Sequence, residues 1–474
     1  MTRRTLRARS YRPRPTLPVH HQGVPVSTAP PRSDAGGPTP AHARRVARAT
    51  FIGTAIEWYD FNIYGAAAAL IFAPQFFPNF SPAAATLAAF GTFAVGFIAR
   101  PVGGIVFGHF GDRLGRKQTL VASLLLMGIG TFLIAVLPTY SAIGIAAPIL
   151  LVVLRFVQGL GVGGEWGGAV LMAMEHAPAG RRGWFSSFPQ MGLPAGSLSA
   201  LVVFLVSSLA FGREDFAAWG WRIPFVLSAL LVVVALVIRL RLTESPEFQA
   251  TRRSEGVRRL PVLEVLRNSP RTVLLGMGIT LAPSSFGYLL SVYLLSYGTG
   301  TVKLPQQTML LTIIGGSVLY LAVTIVAGAL CDRVGPVRIF LLASGLGVVV
   351  PFAVFGLIDT GATPAVAVAM LLMGLVLGML AAVQAIIVSG AFPTAVRYSG
   401  ASLSYQFGAV LGGGVTPLLA ATILAATGSS QAIAAYIGLL SLISGLAVWR
   451  LAAHSPAADE TASPAPAQDG AVTA

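Results

Sequence analysis

The chain has 474 residues, of which 55% are hydrophobic and only 10% are charged, and its mean hydropathy is +0.75. These values exclude a water-soluble domain with an ordinary charged surface. At roughly 20 apolar residues per spanning helix, the length predicts an all-α polytopic membrane protein with about twelve spans. The single cysteine, Cys331, excludes an internal disulfide, and no Cys/His cluster has metal-ligand spacing, so we expect neither a metal nor a cofactor.

The predicted elements form six spans, a charged linker and six further spans. An Arg/Pro-rich arm over residues 1–48 has no apolar run of signal-peptide length and is predicted to be disordered and cytoplasmic. The N-terminal half, 49–241, contains apolar runs near 50–73, 84–107, 118–138, 147–173, 184–209 and 223–241. A cytoplasmic linker occupies 242–270. The C-terminal half, 271–452, contains runs near 271–297, 307–330, 337–358, 364–390, 398–424 and 431–452, before a disordered tail over 453–474.

The net charge of +15 is explained by the distribution of basic residues over the loops. Only Arg213, Arg222 and Lys303 fall in loops on one side, and Arg100 and Arg155 fall within spans, while all other basic residues lie on the opposite side. The positive-inside rule therefore places both termini in the cytoplasm of a bacterial cell, with the spans in its inner membrane. The positive charge gives no reason to expect nucleic-acid binding.

An internal repeat relates the two halves. The segment from Gly108 to Gly115 recurs as Gly328 to Gly335, Pro178 and Arg182 recur as Pro393 and Arg397, and Gly159 and Gly163 recur as Gly374 and Gly378. Because each half has an even number of spans, the halves enter the membrane in the same direction. This parallel repeat is typical of alternating-access carriers.

A glycine-rich run in the fourth span contains a formal GxGxxG pattern at Gly159, Gly161 and Gly164. In a soluble protein this pattern suggests a dinucleotide site. Here no strand precedes it and it lies inside a membrane-length run, so close helix packing is the stronger interpretation.

Five charged residues lie within predicted spans, where each costs about 2.5–3.5 kcal/mol at a helix centre and persists mainly when paired or in contact with water. They are Glu57, Asp60, Arg100, Arg155 and Glu165. Glu57 and Asp60 share one face of the first span, with Arg100 level with Glu57, and Arg155 closer to Asp60 and the midplane. We hypothesise a pair between Glu57 and Arg100, and a midplane group in which Arg155 attracts an anion and Asp60 carries a proton. The alternative is that all five form static ion pairs, with Arg100 and Glu165 completing the network.

Neutral polar residues in the spans could complete a solute site through hydrogen bonds, or could join helices to one another. The candidates for substrate binding, together with Arg155, are Gln158, Gln190, Tyr288, Gln384, Tyr405 and Gln406. Gln190 and Gln406 occupy near-matching positions of the two repeats.

The loop between the second and third spans combines glycines, one acid and three bases. It contains Gly108, Asp112, Arg113, Gly115, Arg116 and Lys117, and it partly recurs at Asp332 and Arg333. The loop resembles the cytoplasmic signature of the major facilitator superfamily, which implies a major facilitator fold of twelve helices in two six-helix halves. It also implies a cytoplasmic gate in which Asp112 caps a helix or pairs with a base. The alternative is a positively charged inner loop with turn glycines.

Further segments resemble the metabolite:proton symporters of that superfamily, a group that includes shikimate, 2-oxoglutarate, citrate and proline/betaine carriers. The matching segments are Gly53–Phe61, Phe97–Gly103, Arg155–Glu165, Trp219–Phe225, Thr243–Phe248 and Phe392–Ser402. The resemblance implies proton-driven uptake of a small organic acid or zwitterion by a monomer in the lipid bilayer. The second gate loop, Asp332 to Arg338, has fewer basic residues than the family pattern, and Ser389 to Ala391 replaces a common acid, which implies a weaker inner gate.

Two other functions stay open on the residues alone. A uniporter or exporter of the same architecture would use Glu57 and Asp60 only structurally, and a membrane sensor would bind solute without moving it. An enzyme is not expected, because no nucleophile, base and orienting acid form a plausible group.

Overall fold

The structure is a computed structural model that describes residues 40–114, 116–163, 170, 173–174, 177–178, 181–240, 261–393 and 397–453. Twelve long helices run through this part of the chain, and we label them α1 to α12. The first half contains α1 (Pro40–Ala67), α2 (Pro82–Leu114), α3 (Arg116–Ala135), α4 (Ala146–Val162), α5 (Arg182–Ala218) and α6 (Ile223–Leu240). The second contains α7 (Pro270–Tyr288), α8 (Gln306–Val334), α9 (Pro336–Asp359), α10 (Thr363–Gly390), α11 (Arg397–Ala409) and α12 (Ser430–Ala453).

π turns directly follow α1, α7 and α11. The chain of α1 continues through a π turn at Ala68–Phe72, and α7 continues through one at Leu289–Tyr293 to a further helical segment, Leu294–Gly300. A turn at Val410–Gly414 joins α11 to the helical segment Thr416–Thr427. The predicted all-α fold with two six-helix halves is confirmed.

Nine of the described helices are long and apolar enough to cross a membrane, and two shorter apolar stretches, Val121–Ala135 and Ala146–Val162, lie in α3 and α4. Large apolar side chains on the outer surface are widely exposed, as expected where lipid replaces water. Ile145 and Val349 are each 66% exposed, and Leu274 is 64% exposed. The structure therefore has the surface of a multi-pass membrane protein.

The first helix begins earlier than predicted, at Pro40, inside the segment expected to be a disordered arm. Ala43 and Ala47 are fully buried against Phe185 near the start of α5, and this packing stabilises the additional turns. Within the predicted linker, Pro261–Asn268 forms a short helix. Residues 1–39, 241–260 and 454–474 lie outside the described part of the chain.

Glycines bring the helices of each half into backbone contact at repeated positions. A Cβ atom on Gly159 or Gly163 would overlap the carbonyl oxygens of Gly96 or Arg100 in α2, and one on Gly374 would overlap that of Gly316 in α8. A Cβ atom on Gly161 would lie 2.7 Å from the Ser123 carbonyl oxygen of α3, which is also too close. The interpretation of Gly159 and Gly161 as packing residues is confirmed, and the internal repeat extends to three-dimensional contacts. Gly164 lies outside the described residues.

The two halves meet through α5 with α8 and through α2 with α11. We call the end of the bundle at which α6 ends and α7 begins the linker end, and the other end the hairpin end. At the hairpin end, the Phe90 and Tyr293 rings of opposite halves lie 6.3 Å apart. At the linker end, the Asp332 side chain reaches the backbone of α5. The halves therefore touch on both sides of the bundle centre.

Candidate functional site

Asp60 lies fully buried in α1 and accepts hydrogen bonds from three other helices. Its Oδ1 accepts from Thr131 Oγ1 of α3 and from Ser228 Oγ of α6, each at 2.6 Å. Its Oδ2 accepts from Gln158 Nε2 of α4 at 2.5 Å. A buried carboxylate needs such partners because burial removes its hydration. The contacts hold Asp60 at the centre of the N-terminal half.

Gln158 connects Asp60 to Arg155. While the Gln158 amide donates to Asp60, its Oε1 accepts a hydrogen bond from Arg155 Nη1 at 2.5 Å. Arg155 and Gln158 are one turn apart on α4, which places both side chains on the face that meets α1. The carboxylate and the guanidinium predicted to lie near each other are thus brought together, with an amide between them.

The Arg155 guanidinium is enclosed by aromatic rings. Its central carbon lies 3.9 Å from the ring centroids of Phe61 and Tyr64 and 5.2 Å from that of Phe93. Arg155 is 0% exposed, and its Nε and Nη2 find no hydrogen-bond acceptor among the described atoms. Cation–π contact compensates part of the lost hydration, but two buried donors stay unsatisfied. This arrangement is typical of a position where a further acceptor binds.

The Arg100 guanidinium lies against aromatic rings. Its central carbon lies 3.9 Å from the Phe61 centroid and 4.5 Å from the Phe97 centroid. The hypothesised pair between Glu57 and Arg100 stays a prediction. Glu57 is buried at 7% exposure and makes contacts of its own. Phe61 therefore contacts both arginines.

A cavity of about 480 Å³, including space open to solvent, lies between the halves. Three of the predicted substrate-binding residues, Tyr288, Gln384 and Tyr405, line it together with Trp58 of α1. None of the described residues that line this cavity is charged. Serines at 197, 284, 291 and 317 and the Tyr320 side chain add hydroxyl groups. The described lining is therefore uncharged and combines apolar and aromatic side chains with hydroxyl groups.

Gln190 and Gln406 do not line the cavity but join the halves. Gln190 Nε2 donates to the Ala381 carbonyl oxygen of α10, and Gln406 Nε2 donates to the Gly163 carbonyl oxygen at the end of α4, both at 2.8 Å. Of the two interpretations of these glutamines, helix–helix bonding is the one that the structure shows.

At the linker end, Asp332 accepts hydrogen bonds from the first amides of α5. Its Oδ1 accepts from Gly183 N at 3.0 Å and its Oδ2 from Trp184 N at 3.2 Å. A carboxylate is favoured at this position by the unpaired N–H groups and the dipole of the helix. The second gate loop, with its fewer basic residues, thus retains an inter-half contact. Most of the first gate loop lies outside the described part of the chain: Gly115, and the side chains of Asp112, Arg113, Arg116 and Lys117. Glu165 also lies outside it.

The sequence analysis missed the residues that surround Asp60 and the arginines. Thr131 and Ser228 are ordinary small polar residues of membrane spans, and Phe61 and Phe93 are ordinary apolar ones. These residues have a role only because the folded helices bring them beside Asp60 and the arginines. Phe61 is the one among them that the sequence could have indicated, because it directly follows Asp60 in α1.

Two repeated six-helix halves, a cavity between them and buried charges beside that cavity define a polytopic membrane transporter, and not an enzyme. Comparison with known proteins gives the family. The model of the Major Facilitator Superfamily matches residues 50–404 and 305–473. The chain belongs to that superfamily, and within it to the metabolite transporters.

Relatives and solved structures agree with this assignment. The chain is 42% identical over 419 residues to the inner membrane metabolite transport protein YhjE of Escherichia coli, covering 85% of this chain and 94% of the relative. It is 39% identical over 420 residues to the shikimate transporter of Escherichia coli, covering 88% and 96%. A solved structure of the xylose transporter XylE from E. coli, in a partially occluded inward-open conformation, matches with a TM-score of 0.68 and 19% identity, covering 86% and 98%. The last comparison shows the fold alone.

Proposed function

We propose that this transporter takes up a small organic acid or zwitterion together with protons, by alternating access. The observation that carries the proposal is the fully buried Asp60, held by Thr131, Ser228 and Gln158 and linked through Gln158 to Arg155. An ionisable residue inside a membrane bundle is costly and is the expected carrier of a transported proton.

The hydrogen bonds of Thr131 support a change of protonation at Asp60. Thr131 Oγ1 lies 2.6 Å from Asp60 Oδ1 and 3.0 Å from the Met127 carbonyl oxygen, yet a hydroxyl has only one proton to donate. With Asp60 ionised, Thr131 donates to the carboxylate. With Asp60 protonated on Oδ1, the acid can donate to Thr131, which then donates to Met127. Both states therefore have a hydrogen-bond arrangement without a change of fold.

Coupling between solute and proton follows from the position of Arg155. A nearby guanidinium favours the ionised form of a carboxylic acid, and an anion bound to that guanidinium weakens the effect. Binding of a substrate carboxylate at the unsatisfied Arg155 nitrogens would therefore favour proton uptake by Asp60. The Gln158 amide, bonded to both residues, would transmit small shifts of one to the other.

The substrate class is supported by the relatives. The chain is 39% identical to a shikimate transporter and 33% identical over 410 residues to a proline/betaine transporter of Escherichia coli, which covers 84% of this chain. One of the solved structures of the same fold is a D-xylose-proton symporter. We accordingly propose a carboxylate or a zwitterion as the solute, and protons as the coupling ion.

The gate is part of the proposal. We place both termini and the linker end in the cytoplasm, in line with the distribution of basic residues. Asp332 and Arg333, with Gly108, Asp112, Arg113, Gly115, Arg116 and Lys117 of the first loop, would then close the inner side. The Asp332 contact with the Gly183 and Trp184 amides is the part of this gate that supports the proposal directly.

The test is uptake into proteoliposomes of labelled shikimate, 2-oxoglutarate, citrate, proline and glycine betaine, with and without an imposed inward proton gradient. We expect one compound to accumulate only with the gradient, and Asp60→Asn to abolish the accumulation while leaving exchange across the membrane. Asp359→Asn, at an exposed acid of the hairpin end, is the matched control. Equilibration that ignores the gradient would instead establish a uniporter.

A further inference from the structure

The Ser228 hydroxyl donates to Asp60, and the described structure shows no bond from it to its own helix. Serine and threonine hydroxyls inside helices commonly donate back to the carbonyl oxygen three or four residues earlier. Ser441, fully buried like Ser228, does so at 3.0 Å. The Ser228 Oγ instead lies 2.6 Å from Asp60 Oδ1. Because a hydroxyl has one proton to donate, Ser228 gives it to the carboxylate.

The carbonyl oxygen four residues before Ser228 is occupied by a tyrosine of another helix. This oxygen belongs to Pro224, near the start of α6, and it accepts a hydrogen bond from the Tyr59 hydroxyl of α1 at 3.0 Å. A carbonyl oxygen has two lone pairs, and in an α-helix one of them accepts the backbone N–H four residues later. Tyr59 therefore takes the position that the Ser228 hydroxyl would use within its own helix.

Two consecutive residues of α1 thus reach two residues one turn apart on α6. Asp60 accepts from Ser228, and Tyr59 donates to Pro224. A Cβ atom on Gly196 of α5 would lie 2.7 Å from the Tyr59 backbone nitrogen, so α5 holds this part of α1 in place. The Tyr59 side chain is itself buried. The pairing with α6 is therefore fixed by the packing of α1.

The second hydroxyl on Asp60 Oδ1 is not held in this way. Thr131 Oγ1 lies 3.0 Å from the carbonyl oxygen of Met127 in its own helix and can donate to it when Asp60 is protonated. Ser228 has no such alternative at Pro224 while Tyr59 occupies that oxygen. One donor thus follows the protonation of Asp60, and the other stays on the carboxyl group in both states.

We propose that Tyr59 is a positioning residue for Asp60, whose hydroxyl occupies the Pro224 carbonyl oxygen and so keeps the Ser228 hydroxyl on the carboxylate. This inference rests on the proposed function, because it names what sets the proton affinity of the proposed proton carrier. Without the Tyr59 hydroxyl, Ser228 can turn to Pro224, and Asp60 loses a donor that favours its ionised form. Tyr59 therefore promotes release of the proton from Asp60.

The other charged and titratable groups near Asp60 do not depend on this bond. Arg155 of α4 interacts with Asp60 electrostatically, Arg100 of α2 interacts with Arg155, and Glu57 lies one turn earlier on α1. The buried side chains described in α3, α5 and α6 include no charged one. Tyr59 also interacts electrostatically with Asp60. A direct effect of the phenol is therefore the alternative that an experiment has to separate from an effect through Ser228.

The test is a double-mutant cycle measured on the Asp60 carboxyl group. Infrared spectra of the purified full-length protein in detergent are recorded over a pH series, and the band of protonated Asp60 is identified by its absence from Asp60→Asn. Ser228→Ala should raise the pH at which half of Asp60 is protonated by about one unit, a tenfold gain in proton affinity, because the ionised form loses a donor. Tyr59→Phe, which keeps the ring, should raise this affinity several-fold. Added to Ser228→Ala, it should produce no further change.

Tyr293→Phe is the matched control. It removes the hydroxyl of another buried tyrosine, which donates to the backbone carbonyl oxygen of Ala420 away from Asp60, and it should leave the Asp60 titration at the wild-type midpoint. Tyr59→Met also lacks the hydroxyl and repeats the measurement without the aromatic ring. Agreement of the two Tyr59 variants assigns the effect to the lost hydrogen bond.

The inference is overturned if either Ser228→Ala or the two Tyr59 variants leave the Asp60 midpoint unchanged. It is also overturned if Tyr59→Phe has the same effect with and without Ser228, since that effect would bypass the serine. An Asp60 that keeps one protonation state throughout the pH series would contradict its role as proton carrier. The frequency of its carboxyl band would then still report the Ser228 bond, and a frequency that Tyr59→Phe does not change would overturn the inference separately. No readout here uses a proton gradient, so a failure of coupling is seen in the uptake experiment alone.

Discussion

Gln190 and Gln406 make the same bond across the boundary between the halves, in opposite directions. Gln190 in α5 donates to the backbone of α10, and Gln406 in α11 donates to the backbone at the end of α4, at equal distances of 2.8 Å. In the internal repeat, α5 corresponds to α11 and α4 to α10. The two bonds are therefore a symmetric pair, and motion of one half against the other has to break or stretch both.

We expect Gln190→Leu and Gln406→Leu to separate the halves at the linker end to a similar extent. Each loses one inter-half hydrogen bond, which contributes about 0.5–1.5 kcal/mol and so shifts the population by up to roughly tenfold. The distance between spin labels at the exposed positions Arg48 and Arg338, in a Cys331→Ser background, measures the shift. Gln75→Leu, which removes a bond to Ala217 within the first half, is the control. Distance distributions identical to that of the control would contradict the symmetric pair.

Gln158→Leu should impair both stability and transport. The substitution removes the amide between Asp60 and Arg155 and leaves both charged groups short of a partner in a buried site. Hydrogen bonds to charged groups contribute about 1.5–3 kcal/mol, so we expect a clear decrease in thermal stability and a loss of gradient-driven uptake. Thermal unfolding of the purified protein and uptake into vesicles provide the two measurements. Wild-type values for both would show that Gln158 does not connect the two residues functionally.

Arg155→Lys keeps the positive charge but removes the planar guanidinium. If Arg155 binds a carboxylate through its free Nε and Nη2, the lysine variant should lose at least about tenfold in apparent affinity, because a point charge cannot reproduce two parallel bonds. The measurement is the concentration dependence of uptake of whichever compound accumulates in the wild type. Equal affinity of the two proteins would remove Arg155 from substrate binding.

Asp332→Asn tests the contact at the linker end. The amide keeps the size of the side chain but loses the charge that favours the N-terminus of α5, an effect of about 0.3–1 kcal/mol at exposed sites. We expect a modest shift toward separation of the halves in the same spin-label measurement. Asp359→Asn alters an acid at the hairpin end, bonded to Tyr297 and Ser430, and should not produce this shift. A shift in the second variant alone would refute the assignment.

Gly159→Ala should destabilise the N-terminal half, whereas Gly91→Ala should not. A Cβ atom on Gly159 would overlap the Gly96 carbonyl oxygen and the Ala99 side chain, while one on Gly91 meets open space. In a helix interior the Gly91 substitution even has a favourable contribution of roughly 0.5–1 kcal/mol. Comparison of the two melting temperatures gives the answer. Equal melting temperatures would mean that α2 and α4 can separate without cost.

The sequence was sufficient to predict the architecture, because membrane spans are recognisable as long apolar runs. The predicted start of α1 was wrong, because packing determines where this helix begins: buried Ala43 and Ala47 extend α1 beyond the apolar run to Pro40. α4 ends at Val162, next to the glycines that pack against α2. Most of the remaining residues of the fourth span, predicted to reach residue 173, lie outside the described part of the chain.

The candidate site was predictable in its charges but not in its contacts. Asp60 and Arg155 were found because charges in apolar runs are conspicuous. The contacts of Arg100 with the Phe61 and Phe97 faces, and the bond of Tyr59 to the Pro224 carbonyl oxygen, depend on side-chain directions that no pattern in the chain encodes.

All the buried charges of the described structure belong to the N-terminal half. With Glu57 and Asp60 ionised, the charges of Glu57, Asp60, Arg100 and Arg155 sum to zero. The charges of one bound proton and one solute carboxylate also sum to zero. A membrane potential performs work of about 2.3 kcal/mol per elementary charge and 100 mV on charge that crosses it. When the halves rock against each other, these buried groups would therefore carry no net charge through the field. This holds both for the empty carrier and for the carrier loaded with a proton and a monoanion. Such a carrier would be driven by the pH difference across the membrane and would be insensitive to its voltage.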